Sequence, residues 1–141
     1  MNSRMRLTSL FIVVLLAAGC AATPYGPVSE SWMGGYSDSK LQRNTYNVSF
    51  TGNAWLSQEQ ARNYLYYRCA EITVREGFDY FVIISGESAT SYSEMGRMSA
   101  VPKPNLTATI RLAKGRPPAS NPDAFDAREL MRNLEPQIHR P

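Results

Sequence analysis

The pattern of apolar and polar residues is clearest between residues 57 and 85, where it predicts a helix followed directly by a strand. Apolar side chains recur at helical spacing and form one face, made of Ala61, Leu65, Cys69 and Ile72. Ser57 and Gln60 have the spacing of a capping box, and Gly77 suits the left-handed position that ends a helix. The apolar run at 80–84 then predicts an interior strand.

Two further segments alternate apolar and polar residues, which indicates strands with one buried face. They run from 45 to 51 and from 103 to 113, and the strand after the helix is expected at 79–92. We therefore predict an α+β fold: a single two-layer β-α-β-β domain with one helix packed on a small sheet. The predicted core consists of Tyr46, Val48, Phe50, Leu65, Cys69, Ile72, Phe81, Ile83, Ala108 and Ile110.

The remaining C-terminal half contains polar and proline-rich connections. Residues near 94–102 are expected to form a mobile hairpin tip, a kind of position where binding residues are common. A Pro-rich linker begins at residue 116, and apolar spacing then predicts a short C-terminal helix from Asp123 to Leu134. This helix is expected either to pack on the open face of the sheet or to stay loosely attached.

The N-terminus has the features of an export signal. Arg4 and Arg6 precede an apolar run that is too short to span a bilayer, so residues 1–19 are assigned to a signal peptide. Residues 20–35 lack periodicity and are predicted to be a flexible tether before the α+β domain at 36–115, with the linker, helix and tail at 116–141. Trp32 in the tether either contacts a partner or membrane interface or packs against the edge of the domain.

The signal ends in Leu16-Ala17-Ala18-Gly19-Cys20. Small residues before a cysteine resemble the lipobox of bacterial lipoproteins, although the lipobox prefers leucine where Ala17 stands. The resemblance implies that Cys20 receives a diacylglycerol and an amide-linked acyl chain of the palmitate type, and so binds the lipid bilayer. Ala21 is not the aspartate that retains such proteins at the inner membrane, so we expect the periplasmic side of the outer membrane. The alternative is an ordinary secretory signal that leaves Cys20 as a free thiol.

Charge and residue chemistry argue against several function classes. The 15 basic and 12 acidic residues become nearly balanced once Arg4 and Arg6 are removed with the signal, so we predict no nucleic-acid partner. The single histidine, His139, is near the end of the chain, and Cys69 lies on the apolar helix face, so we predict no metal site, no cofactor and no catalytic triad. Glu71 could belong to a carboxylate pair, but arginines at helical spacing favour ion pairing.

Four motifs resemble those of a family of small Gram-negative lipoproteins of uncharacterised function. They are GYSD at 35–38, NxYxVxFxGN at 44–53, YLxYRxAExT at 64–73 and GxDYF at 77–81. The resemblance implies a lipoprotein with this domain fold, and it implies no activity or substrate.

These observations predict a lipid-anchored periplasmic protein that presents a surface, not an enzyme. We expect a structural or sensory interaction module with an envelope protein as its partner. The predicted partner-binding residues are Tyr36, Ser37, Asp38, Tyr92 and Met95. The alternative is a small-ligand-binding lipoprotein with a cleft between the open sheet face and the C-terminal helix.

Overall fold

The computed structural model describes residues 21–95 and 98–141, with side chains for residues 21–86 and 103–141. The predicted signal peptide and Cys20 lie outside the described residues. The described chain forms the strands and helices β1 (Gly35–Gln42), β2 (Thr45–Thr51), α1 (Gln58–Arg75), β3 (Tyr80–Met95), β4 (Met98–Ala113), β5 (Ala124–Asp126) and α2 (Ala127–Leu134).

The strands form one five-stranded sheet in the order β1-β2-β4-β3-β5, with antiparallel neighbours throughout. Because β2 and β3 both pair antiparallel with β4, they run parallel to each other on its two sides, and α1 connects them. The predicted α+β fold, with a main helix on a sheet and a short C-terminal helix, is confirmed. The edge strands β1 and β5 are additions to the predicted β-α-β-β order.

Helix α1 begins where the sequence predicts, because the Ser57 side chain accepts a hydrogen bond of 3.1 Å from the Gln60 amide. It ends before Gly77, which has a φ of 78°. The buried face of α1 packs on the sheet and closes the hydrophobic core. Nine of the predicted core residues are buried, and Ile83 is partly buried against them.

The N-terminal segment, residues 21–34, is packed against the domain, in contrast to the predicted flexible tether. Thr23 and Tyr25 are only 1% and 4% exposed. The Thr23 hydroxyl donates to the Met33 carbonyl at 2.8 Å and accepts from the Asn53 amide at 2.8 Å. This segment contacts residues that are distant from it in sequence. They lie on α1, after β2 and in the C-terminal tail. Local composition therefore indicates a linker even though the segment is folded.

The C-terminal helix α2 packs against α1, which differs from both arrangements expected from the sequence. Its partly buried residues Met131 and Leu134 contact the core. Ile138, in the C-terminal segment at 135–141, is 7% exposed. The predicted cleft between α2 and the open face of the sheet is therefore not formed in the described structure.

The last two long strands form a hairpin, but residues 94–95 and 98–102, predicted to form its tip, belong to the strands themselves. Strands β3 and β4 pair from Tyr80 and Ala113 to Met95 and Met98. Strand β2 accompanies β4 only as far as Asn105. The remaining two-stranded part, here called the hairpin arm (residues 90–95 and 98–104), extends beyond the part of β4 that pairs with β2.

Candidate functional site

The residues of the GYSD and YLxYRxAExT motifs meet in one cluster on the helix side of the sheet. Arg68 and Glu71 lie one turn apart on α1, and Tyr36 and Asp38 are alternate residues of β1 and so share a face. Tyr25 joins them from the N-terminal segment. These five residues are called the Arg68 cluster.

Arg68 is at the centre of this cluster. Its Nε and Nη2 donate to Asp38 Oδ1 at 2.9 and 2.6 Å, and its Nη1 donates to Glu71 Oε2 at 3.1 Å. The guanidinium lies over the Tyr36 ring, 4.0 Å from its centroid. The Arg68 and Asp38 side chains are 15% and 16% exposed, so these charged hydrogen bonds are largely shielded from water.

Tyr25 connects the N-terminal segment to the cluster. Its hydroxyl donates a hydrogen bond to Glu71 Oε2, and its ring contacts Tyr64 and Tyr67 with centroids 5.5 and 5.2 Å apart. Burial, followed by the hydrogen bond to the Glu71 carboxylate, raises the pKa of the Tyr25 hydroxyl well above its usual range. Tyr25 therefore stays protonated and remains a donor at physiological pH.

A surface pocket of about 380 Å³ adjoins the cluster and is lined by Tyr36, Arg68, Glu71, Val74, Arg75 and Met131. The charged groups that line it already have partners. Asp38 and Glu71 bind Arg68, and Arg75 Nη2 lies 3.7 Å from Asp38 Oδ2. Among the described residues, Glu71 is the only carboxylate that lines this pocket, and its Oε2 already accepts hydrogen bonds from Tyr25 and Arg68. The geometry instead suits a structural role, in which the cluster joins the N-terminal segment, β1 and α1.

A second cluster holds the C-terminal segment on α1. The Tyr67 hydroxyl donates to Glu135 Oε2, Arg140 Nη1 donates to Glu135 Oε1 at 2.8 Å, and Arg140 Nη2 donates to the Tyr67 hydroxyl at 3.0 Å. Burial and the neighbouring Glu135 carboxylate raise the pKa of Tyr67 to about 12. The hydrogen bond from Arg140, followed by that from Tyr67, lowers the pKa of Glu135.

The predicted partner-binding residues are distributed over different parts of the molecule. Tyr36 and Asp38 are partly buried in the Arg68 cluster, whereas Ser37 faces the other side of β1 and its Oγ lies 2.7 Å from Ser49 Oγ. Tyr92 and Met95 belong to the paired backbone of the hairpin arm, and the structure does not describe their side chains. Cys20 also lies outside the described residues.

The face of the sheet opposite α1 carries mainly small polar side chains. Strand pairing places Ser37 beside Ser49 and Ser49 beside Thr107, and it places Asn47 beside Thr109. A shallow pocket of about 230 Å³ on this face is lined by Asn47, Ser85, Gly86, Thr107 and Thr109. Because α1 covers the other face and α2 packs on α1, this open face has no covering helix in the described structure.

Two further groups that could take part in chemistry, the Cys69 thiol and the Asp79 carboxylate, are engaged in the packing and hydrogen bonding of the fold. Cys69 is fully buried, and burial raises the pKa of its thiol above the usual range. Asp79 accepts a hydrogen bond of 2.8 Å from the Gly115 amide and pairs with Arg128 at 3.4 Å.

Across residues 21–95 and 98–141, no three histidine, cysteine or acidic residues are grouped as metal ligands would be. Within the same ranges, no helix is both long and apolar enough to cross a membrane.

The sequence alone did not single out Thr23 or Tyr25, and it included Asn53 only as the last residue of the NxYxVxFxGN motif. Thr23 and Tyr25 lie in a segment without periodicity, so no local pattern signals their burial. The sequence GNAWLS at 52–57, after β2, does indicate a turn at Asn53, since an asparagine side chain often accepts a hydrogen bond from the backbone two residues further on. Here Asn53 Oδ1 accepts from the Trp55 amide at 3.1 Å.

Comparisons of the chain with protein-family models, with curated proteins and with solved structures find no match. The resemblance to the small lipoproteins therefore stays a prediction. Its motif residues nevertheless have a physical role in this fold, because GYSD and YLxYRxAExT supply four of the five residues in the Arg68 cluster.

Proposed function

We propose that this chain is a lipoprotein of the cell envelope, anchored by an acylated Cys20 on the periplasmic side of the outer membrane. Its domain acts as a non-catalytic interaction module with a structural or sensory role. The observation that carries this proposal is the open sheet face, which no helix covers among the described residues and which continues into the hairpin arm.

Side-chain chemistry supports a binding role over catalysis. Asp38, Glu71 and Glu135 are engaged by arginine or tyrosine, and Asp79 by a backbone amide and an arginine. The open face instead carries hydroxyl and amide groups near its centre. Such groups can donate and accept hydrogen bonds with a polar partner surface without the cost of burying a charge.

The position of the N-terminal segment suggests where the partner lies. Asn53 and the carbonyl of Pro104 are at the same end of the sheet, because the Gly52 amide donates to Pro104 at 2.8 Å. The hairpin arm starts at this end, and Ala21 is bound there through a 2.9 Å hydrogen bond from Asn53 Nδ2. An anchor at Cys20 would keep the arm close to the membrane, so we propose a protein partner in or on that membrane.

Site-specific photo-crosslinking in cells tests the partner surface. A photoreactive residue at Ser49 or Thr107 on the open face, or at Tyr92 on the arm, should trap one defined envelope protein. The same residue at Arg62, which is exposed on α1, is the matched control. Equal adducts from Arg62, or no protein adduct from the open face and the arm, would contradict the proposed interaction.

Anchoring is tested separately with the Cys20→Ala variant. The wild-type protein should incorporate labelled acyl chains and fractionate with the outer membrane, whereas the variant should lose the label and remain unprocessed or become soluble. Recovery of the intact wild-type chain from the soluble fraction without acyl label would refute lipidation.

A further inference from the structure

Two tryptophans are exposed on the surface of the domain, and they are the only tryptophans in the sequence. Trp32 is 95% exposed and Trp55 is 65% exposed. The alternative in which Trp32 packs on the edge of the domain is therefore wrong. Indole rings combine a large apolar surface with a polar N–H group, which suits the boundary between lipid headgroups and water.

Both tryptophans are located beside the first described residues of the chain. Trp32 precedes Met33, whose carbonyl accepts the Thr23 hydroxyl at 2.8 Å. Trp55 lies two residues after Asn53, whose amide donates to Thr23 Oγ1 at 2.8 Å and whose side chain donates to the Ala21 carbonyl at 2.9 Å. Thr23 is thus held between the two loops that carry the tryptophans.

The surface around Trp55 also carries nitrogen groups that can donate hydrogen bonds. A pocket of about 530 Å³ has Ala22, Trp55, His139 and Arg140 among its lining residues, and none of its described lining residues is acidic. Arg140 itself pairs with Glu135 at 2.8 Å, with side chains 47% and 51% exposed. Glu135 compensates the charge of Arg140, so the indole, imidazole and guanidinium groups offer N–H donors for the oxygen atoms of lipid headgroups instead of a net positive charge.

We propose that Trp32, Trp55 and the neighbouring Ala22, His139 and Arg140 form a membrane-contact surface. It rests on the headgroup layer of the bilayer that holds the acyl chains of Cys20. This inference depends on the lipidation proposed above. The peptide bond from Ala21 leads directly to Cys20, and consecutive Cα atoms are about 3.8 Å apart, so an acylated cysteine would be joined to this surface without a spacer.

Docking of the N-terminal segment gives the contact a defined orientation. A free tether of about 15 residues would have an average end-to-end distance of roughly 20 Å and would let the domain rotate. The hydrogen bonds of Ala21 and Thr23 to Asn53 replace that freedom with a fixed attachment. Trp32 and Trp55 then lie on the side of the domain that faces the membrane, where each contacts the boundary between headgroups and water.

Intrinsic fluorescence can test this proposal directly, because all tryptophan emission comes from Trp32 and Trp55. The full-length lipidated protein is reconstituted into vesicles of purified zwitterionic and anionic phospholipids. Trp32→Phe and Trp55→Phe variants assign the signal to single residues. We expect each remaining tryptophan to emit at shorter wavelength than in water and to lose intensity with lipids brominated near the headgroup.

The matched control moves the reporter to the other end of the sheet. Leu41 is 56% exposed at the turn between β1 and β2, where Gln42 pairs with Thr45, whereas the proposed surface adjoins the Thr51 end. Leu41→Trp in a background of Trp32→Phe and Trp55→Phe should emit as a hydrated indole. It should also remain accessible to aqueous iodide and unaffected by brominated lipid.

The possible outcomes separate this inference from the lipidation proposal. If the protein carries no acyl chain and does not float with vesicles, lipidation itself fails. If it floats but Trp32 and Trp55 remain as iodide-accessible as the Leu41→Trp reporter, the membrane-contact surface is refuted. Shielding seen only in native membranes and absent from pure lipid vesicles would also overturn the proposal, since it would indicate a protein contact.

Discussion

Arg68 connects three separate parts of the chain through one guanidinium group. It binds Asp38 of β1 and Glu71 of α1 and stacks on Tyr36, while Glu71 also accepts from Tyr25 of the N-terminal segment. Removing the guanidinium would leave the partly buried Glu71 carboxylate without its cation and Asp38 with only the more distant Arg75, at 3.7 Å. The penalty for such unpaired groups typically exceeds the net contribution of the original pair.

Arg68→Ala should therefore lower the free energy of unfolding by about 2 to 3 kcal/mol, measured by urea denaturation. Arg62→Ala is the matched control, because Arg62 is exposed on the same helix, and it should change stability by less than about 0.5 kcal/mol. Equal stability of the two variants would mean that the Arg68 cluster contributes little to the fold.

The raised pKa of Tyr67 predicts that the folded protein loses stability at alkaline pH. Its pKa rises from the ordinary value of 10.0 to about 12 in the folded protein, so its contribution is complete below pH 10. Above pH 10 the unfolded chain releases the proton first, and stability falls as the pH rises towards 12. Thermal melts from pH 9 to 12 should show a shallower decline for Tyr67→Phe than for the wild type. Tyr25, whose pKa is also raised, contributes to the decline in both the wild type and the variant. If the two proteins lost stability in parallel, the contribution assigned to Tyr67 would be contradicted.

Among the elements, β1 depends on two glycines with backbone conformations that side chains resist. Gly34 and Gly35 have φ values of 110° and 151°. A Cβ added at Gly35 would lie 2.4 Å from the Gly26 carbonyl oxygen and 2.8 Å from the Val28 nitrogen. The glycine of the GYSD motif therefore allows the N-terminal segment to lie against the start of β1.

Gly35→Ala should displace the N-terminal segment and make it sensitive to protease, with cleavage in residues 21–34 detected by mass spectrometry. Gly86→Ala is the matched control on β3, because its added Cβ would approach no atom closer than 3.8 Å. That variant should be cut at the wild-type rate. If the two variants are cleaved alike, the close approach at Gly35 is not what holds the segment.

The elements that the sequence predicted well are those with a strong local pattern. Helix α1 has both an apolar face and a capping residue, and β2 alternates strictly, so burial and hydrogen bonding favour the same assignment. Strand β1 was missed because GYSDSKLQ has almost no apolar alternation, and its position depends on pairing with β2. Strand β5 has three residues, too few for a periodic signal.

The candidate site was less predictable for the same physical reason. Tyr36 and Asp38 were selected as surface residues, but their partners come from α1 and from residue 25, which are distant in sequence. The burial of Tyr25 depends on Tyr64, Tyr67 and Glu71, which only the folded helix presents together. Sequence motifs identified the participants on α1 and β1 without revealing that they bind one another.

At the scale of the whole molecule, the N-terminal segment at 21–34 and the C-terminal segment at 135–141 meet over α1. The Tyr25 amide donates to the His139 carbonyl at 2.6 Å, and the His139 amide donates to the Tyr64 hydroxyl at 3.3 Å. The sequence predicted a flexible N-terminal tether and a tail after the C-terminal helix, whereas in the structure these two segments stabilise each other's position. A lipid anchor attached before Ala21 would consequently fix the whole domain close to its membrane.

Hydrogen–deuterium exchange of the full-length protein tests this docking most directly. The amides of Tyr25 and Tyr36 donate to the carbonyls of His139 and Gly26 at 2.6 and 2.9 Å, so both should exchange slowly. Ser120, in the exposed connection before β5, offers a comparison in the same chain. We predict strong protection at Tyr25 and Tyr36 relative to Ser120. Exchange of Tyr25 as fast as Ser120 would show that the N-terminal segment is a free tether, and would contradict the proposed attachment of the domain to the membrane.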